Sequence, residues 1–240
     1  VSGDFYWFRE IAKDGSLSDV HSHDIKEGAR KNTKLLKGDK FVIAAVDCTG
    51  HGVPGAFMSM IGYNLLDGII QRGITQSHLI LSELHKGVRK ALKQDETDNR
   101  DGMDAALCVF DISSKTIQFS GANNPVVYIQ DGEAQVIKGD RYAIGGSQKE
   151  EERTFTPHLI QVDKPTWFYI FSDGYIDQFG GENQKKFLLK NLKDLLLKIH
   201  QLPADEQEKI LKETLFSWME AKENQIDDVL IIGFKIGDNW

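Results

Sequence analysis

The chain has 240 residues, enough for one sizeable core and short for two full domains. It carries 36 acidic against 29 basic residues, net −7, which argues against a nucleic-acid partner, since polyanions are met by basic surfaces. Its two cysteines, Cys48 and Cys108, cannot build a disulfide framework and fit a reducing, cytoplasmic setting.

The chain opens at Val1 in the middle of a motif, so it is expected to be the C-terminal fragment of a longer protein. Residues 4–12 are rich in aromatics and read as a strand. Residues 13–39 are polar, with Asp14-Gly15 as a turn signal. They are long for a loop and form a flap or a functional edge. Residues 41–46 (Phe-Val-Ile-Ala-Ala-Val) are apolar throughout, as in a strand buried on both faces. The run is much too short to span a bilayer, as are the other apolar runs, so no membrane insertion is expected of this segment.

After Asp47, a glycine-rich passage through Gly50-His51-Gly52 leads to Pro54, which suits a first helical turn. In residues 56–71, Phe57, Ile61, Leu65 and Ile69 recur every fourth position and predict a helix. Residues 77–93 predict a second, antiparallel to the first. Four short strands follow at 105–110, 116–120, 126–130 and 134–137, separated by turn residues. Two more are expected at 159–162 and 167–171. Helices are expected at 184–200 and 204–223, broken at Leu202-Pro203, and a last strand at 229–236. Strands, helix pair, strands, helix pair and strand describe an α+β layered domain.

Asp4, Asp47, Asp173 and the pair Asp227-Asp228 share one context. Each adjoins an apolar strand beside glycine or a turn. A carboxylate at the end of a buried strand is costly unless it is solvated, paired or bound to a cation. Hard divalent cations take such oxygen ligands. A two-metal carboxylate site, with ions about 3.5–4 Å apart, would suit attack of water on phosphorus. The competing reading of each aspartate is a turn or a cap. Asp101 and Asp104 read as turn residues, with a weak third metal as the alternative. Asp177 reads as a cap or a support to the site. Both cysteine side chains read as buried packing. His51 reads either as a turn residue or as a general acid. His21-Ser22-His23-Asp24, within a polar insertion at 19–38, reads as solvated loop rather than a transition-metal site.

Four ordered motifs carry a resemblance. They are Ser2-Gly3-Asp4-Phe5-Tyr6, Val46-Asp47-Cys48-Thr49-Gly50-His51-Gly52-Val53-Pro54, Phe171-Ser172-Asp173-Gly174-Tyr175-Ile176-Asp177 and Asp227-Asp228-Val229. Together with Ser120-Gly121-Ala122-Asn123-Asn124-Pro125, they resemble the metal-dependent protein phosphatase (PPM) superfamily, in its bacterial SpoIIE-like serine phosphatase branch. The resemblance spans essentially the whole chain.

It implies a four-layer αββα sandwich and one catalytic domain over 1–240. It implies hydrolysis of phosphoserine or phosphothreonine on a regulatory protein by a hydroxide bridging two Mn²⁺ or Mg²⁺ ions. Asp47 would bridge both metals, and the Cys48 main-chain carbonyl would complete the first shell. Asp173 and Asp227 would ligate the second metal with Asp4 nearby, Asp228 being the reserve for Asp227. The implied partners are a phosphoprotein, such as an anti-sigma-factor antagonist, and an upstream sensor domain that could tether the protein to a membrane. Control would pass through the first helix pair. Arg9 is the nearest arginine to the first motif, without motif support as a phosphate grip. The competing function is a catalytically silent phosphatase-like binding module. A nucleotide-directed phosphoesterase is disfavoured, since no Gly-Lys-Ser/Thr phosphate loop is present.

Overall fold

A computed structural model describes residues 3–12, 17–18, 39–50, 52–146, 150, 152–219 and 224–237. The expected insertion at 19–38, its His-x-His-Asp motif and His51 lie outside the described residues.

The first sheet contains β1 (Phe5–Ile11), β2 (Leu17–Ser18), β3 (Lys40–Cys48), β4 (Gly102–Asp111), β5 (Thr116–Ala122), β8 (Ile144–Gly145) and β9 (His158–Gln161), in the order β2-β1-β3-β4-β5-β9 with β8 on β4. The second contains β6 (Val126–Gln130), β7 (Glu133–Ile137), β10 (Thr166–Phe171) and β13 (Ile231–Ile236), in the order β13-β10-β6-β7. All strand pairings in both sheets are antiparallel.

Side chains alternate across each strand, so one strand feeds two cores. On β3, Val42, Ala44, Val46 and Cys48 pack beneath a helix pair, α1 (Gly52–Gln71) and α2 (Ser77–Ala91). Phe41 and Ala45, of the opposite parity, pack between the sheets with Phe168 and Ile170 of β10. The far face of the second sheet buries Val127, Ile129, Tyr169 and Phe171 against α4 (Leu189–Ile199) and α5 (Ala204–Met219). Three apolar interfaces therefore separate four layers, the expected αββα sandwich. The alanines of β3 and β4 meet across the ladder, Ala45 opposite Ala106, which lets the sheets approach closely.

Several boundaries differ from the sequence reading. β4 begins at Gly102, so Asp104 lies in a strand and not in a turn. The expected helix at 184–200 starts only at Leu189. Before it come a single helical turn, α3 (Gly174–Asp177), and a hairpin of β11 (Phe179–Gly180) and β12 (Lys185–Lys186). Their two-residue strands are too short to show periodicity. The 20 residues of α1 are long and apolar enough to cross a bilayer. Here Met58, Leu66, Ile69 and Ile70 of α1 are buried in the core against the first sheet.

Arg9 has a structural task. Its guanidinium donates to Asp67 Oδ2 and to the Tyr63 hydroxyl, both at 2.8 Å, while Trp7 Nε1 donates to Asp67 Oδ1 at 2.8 Å. It lies on the helix face of β1 with Trp7, on the parity opposite to Asp4. It therefore ties β1 to α1 and does not face the aspartates.

Candidate metal centre

Strand register assembles the first half of the site. β3 is paired to β1 on one side and β4 on the other. Asp47 stands directly opposite Asp104. The β1–β3 ladder runs to Phe5 opposite Val46, and one further step places Asp4 opposite Asp47. Three carboxylates thus form a row across three adjacent strands. Asp47 and Asp104 share the parity of the residues packed between the sheets, such as Ala45 and Ala106. The row lies at the mouth of the intersheet core. Like charges set directly opposite are destabilising in a bare sheet.

The second sheet brings the rest. Beyond the last β10–β13 pair, Ser172 N donates to Leu230 O, and Leu230 N to Ser172 Oγ, both at 3.0 Å. This stitch aligns Asp173 with the Asp227-Asp228 loop. Gly174 is required here, since a Cβ on it would sit 2.0 Å from the Asp228 carbonyl oxygen. Gly3 N donates to Asp228 Oδ2 at 2.8 Å and joins the two halves. Gly3 also lies against the turn after β3, where a Cβ on it would stand 2.6 Å from Gly50 O and 3.1 Å from Cys48 O. The Cys48 carbonyl thus faces the chain beside Asp4.

The charges report the same convergence. Burial pushes Asp47 up to about 8, and Asp4, Asp173, Asp227 and Asp104 push it in the same direction. No basic group stands among these influences. Burial also pushes Asp4 up to about 6, with Asp228 and Asp227 raising it, against hydrogen bonds from Ser172 and Asp47. Asp104 is raised to about 6 by burial, against a hydrogen bond from Asn123. Asp173 is raised by burial, then by Asp177 and Asp227. Asp47 is within hydrogen-bonding reach of both Asp4 and Asp173. It is the middle of a carboxylate chain.

A donor set of this kind fits a hard divalent cation, since Lys186, acting on Asp173, is the one basic side chain among the influences on these carboxylates. Among the described residues, no three acidic, His or Cys side chains converge on one point as they stand. The Cys48 thiol is held up to about 12 by burial.

Residues 37–237 match the family described as Stage II sporulation protein E (SpoIIE). The chain belongs to the SpoIIE family. Its fold is that of the PP2C-type phosphatase domains of bacterial signalling. The SiaA-PP2C domain of Pseudomonas aeruginosa superposes with a TM-score of 0.77 at 30% identity, over 98% of this chain and 81% of that one. The SpoIIE PP2C phosphatase domain with a fragment of its regulatory domain, from Bacillus subtilis, gives 0.67 at 16% identity, over 97% of this chain and 56% of that one. RsbX in complex with magnesium gives 0.58 at 13%, over 97% and 86%. At the last two identities the likeness is one of fold. No curated protein sequence matches the chain.

The structure brings Asp4, Asp47, Asp173, Asp227 and Asp228 to the same end of the two sheets and adds Asp104. Asp227 is exposed, and Asp228 is half-buried with one oxygen held by Gly3. Asp104 is oriented by Asn123 Nδ2 at 2.8 Å, and Asn123 adopts a positive φ of 57°. Parity with Ala106 and Cys108 was the signal available for Asp104, but its Gly102 neighbour reads as a turn. Asp101 takes Asn99 Nδ2 at 2.9 Å, as a turn residue does. Asp177 pairs with Lys186 Nζ at 2.6 Å beside Asp173.

Proposed function

We propose that the chain hydrolyses phosphoserine or phosphothreonine on a regulatory protein, using two divalent cations, Mg²⁺ or Mn²⁺. The observation that carries this is the position of Asp47, in the middle of a carboxylate row, where burial and then four neighbouring carboxylates raise its pKa. Asp47 would bridge the two cations. The Cys48 carbonyl would serve the first, Asp173 and Asp227 the second, with Asp4 beside it. Asp228 is better suited to hold Gly3, and with it Asp4, against the start of β13 than to bind metal. Bound cations would supply acidity to a water molecule and neutralise charge on the phosphoryl oxygens.

The chain's own residues position and exclude. The stitch at Ser172 and Leu230 keeps Asp173 beside the 227–228 loop, and register keeps Asp4 beside Asp47. The side chains nearest the row are unsuited to covalent attack. The Cys48 thiol is buried and fully protonated near neutral pH, and Ser172 Oγ is engaged by Leu230 N. Direct attack by water without a phosphorylated side chain agrees with both.

The membership in a bacterial signalling family supports a small phosphoprotein as substrate, of the anti-sigma-factor-antagonist type. One catalytic domain, controlled in the cytoplasm by an upstream sensor region, is part of the same proposal. The test is hydrolysis of a small aryl phosphate and of a phosphoserine peptide with Mn²⁺, with Mg²⁺ and with EDTA. Turnover with either metal and none in EDTA is expected. A folded, metal-loaded chain that turns over neither substrate would favour a silent binding module.

A further inference from the structure

His85 lies on α2, fully buried. Its Nδ1 accepts the Gly145 backbone N–H at 3.0 Å, and its Nε2 stands 3.0 Å from Glu150 O. A backbone N–H can only donate and a carbonyl can only accept, so the two contacts fix one tautomer: neutral, with the proton on Nε2. Burial, Arg153 and Arg89 all hold its pKa below the ordinary value, against the Glu150 contacts that raise it. Arg89 is on α2, while Arg153 and Glu150 come from the segment that packs on it.

What His85 grips leads to the site. Gly145 belongs to β8, which pairs with the first residues of β4, Gly145 opposite Gly102 and Ile144 opposite Met103. Contacts there are tight. A Cβ on Gly145 would lie 2.7 Å from Val88 Cγ1 of α2, and one on Gly102 2.8 Å from Ile144 O. Gly146 N donates to Asp101 O at 3.2 Å. On its other side, Gly102 is bonded twice to the turn after β3. Thr49 N donates to Gly102 O at 2.9 Å, and Gly102 N to Thr49 Oγ1 at 3.0 Å. Thr49 follows Cys48, and Asp104 is two residues beyond Gly102. An unbroken path runs from α2 through His85, β8 and the start of β4 to the backbone that carries Asp47, Cys48 and Asp104.

We propose that His85 is a positioning residue of the metal centre: its imidazole clamps β8 onto α2 and so holds the start of β4 and the Cys48–Thr49 turn in the geometry that binds cations. The inference rests on the metal-centre reading above and names the contact by which the first helix pair reaches that centre. Two polar variants of similar size separate the two ends of the clamp. In His85→Asn, Oδ1 stands where Nδ1 stood and keeps the Gly145 bond. In His85→Gln, the amide reaches the Glu150 side and the Gly145 bond is lost.

The test is calorimetric titration with Mn²⁺ of the unchanged chain and both variants, together with amide hydrogen exchange at Gly145. His85→Gln is expected to weaken Mn²⁺ about tenfold, as is usual when a group supporting metal ligands is lost, and to speed exchange at Gly145. His85→Asn is expected to bind Mn²⁺ as the unchanged chain does, with Gly145 protected. Equal Mn²⁺ affinity in all three, or equal weakening in both variants, overturns the proposal. An unchanged chain that binds no Mn²⁺ removes the metal-centre reading itself, and the His85 proposal falls with it.

Discussion

Replacing Asp47 by Asn is expected to move stability and activity in opposite directions. In EDTA, Asp47 is a half-buried carboxyl group flanked by Asp4 and Asp173, with Asp227 and Asp104 also acting on it. Asparagine keeps the shape, cannot ionise, and offers N–H donors to the neighbouring carboxylates without holding a proton that the unfolded chain would release. The EDTA-treated variant is therefore expected to melt higher than the unchanged chain, by roughly 3 °C for a gain of about 1 kcal/mol in a domain of this size. Aryl phosphatase activity in Mn²⁺ is expected to fall at least about a hundredfold, since even groups that only support metal ligands cost 10–100-fold. Parallel thermal melts and rate assays check both. A variant that melts lower in EDTA, or keeps its activity, contradicts the placement of Asp47 as the common ligand.

The second large effect is on pH. Asp47 sits at about 8, and Asp4 and Asp104 at about 6, all above the 3.8 of an unperturbed aspartate. Between pH 4 and 8, the folded chain therefore holds protons that the unfolded chain has released. Stability must then fall as pH rises through this window. In EDTA the protein is expected to melt several degrees higher at pH 5.5 than at pH 8. Asp47→Asn removes the part of this slope above pH 6. Saturating Mn²⁺ at pH 8 restores the lost stability by binding the folded form alone. Melting temperatures across pH 5.5–8, with and without Mn²⁺, provide the check. A melting temperature in EDTA that rises with pH would contradict the mutual repulsion of the row.

Much of this architecture was legible because it rests on simple periodicities. The apolar run ending at Asp47 announced the central strand, and the four-residue spacing from Phe57 to Ile69 announced α1. Apolar strands ending beside glycine or a turn singled out Asp4, Asp47, Asp173 and Asp227 as candidates. What stayed hidden depends on register and on contacts between distant segments. Asp104 joins the row only because β4 starts at Gly102 and pairs Asp104 with Asp47. Ser172 and Gly174 gain their meaning from Leu230 and Asp228, more than fifty residues away. Arg9, adjacent to the first motif in sequence, faces α1 because strand parity turns it there. His85 carries no local signal, since a histidine on the buried face of an amphipathic helix looks the same whatever it grips.

The carboxylate row is tested most directly by calorimetric titration of Mn²⁺ into the EDTA-stripped, dialysed chain and into Asp47→Asn. Two ions per chain are expected in the unchanged protein, with proton release at pH 7.5 as Asp47 gives up its proton, and a marked loss of binding in the variant. A folded chain that takes up no Mn²⁺, or binds it equally well without the Asp47 carboxylate, would contradict the assignment of this site as the metal centre of a phosphatase.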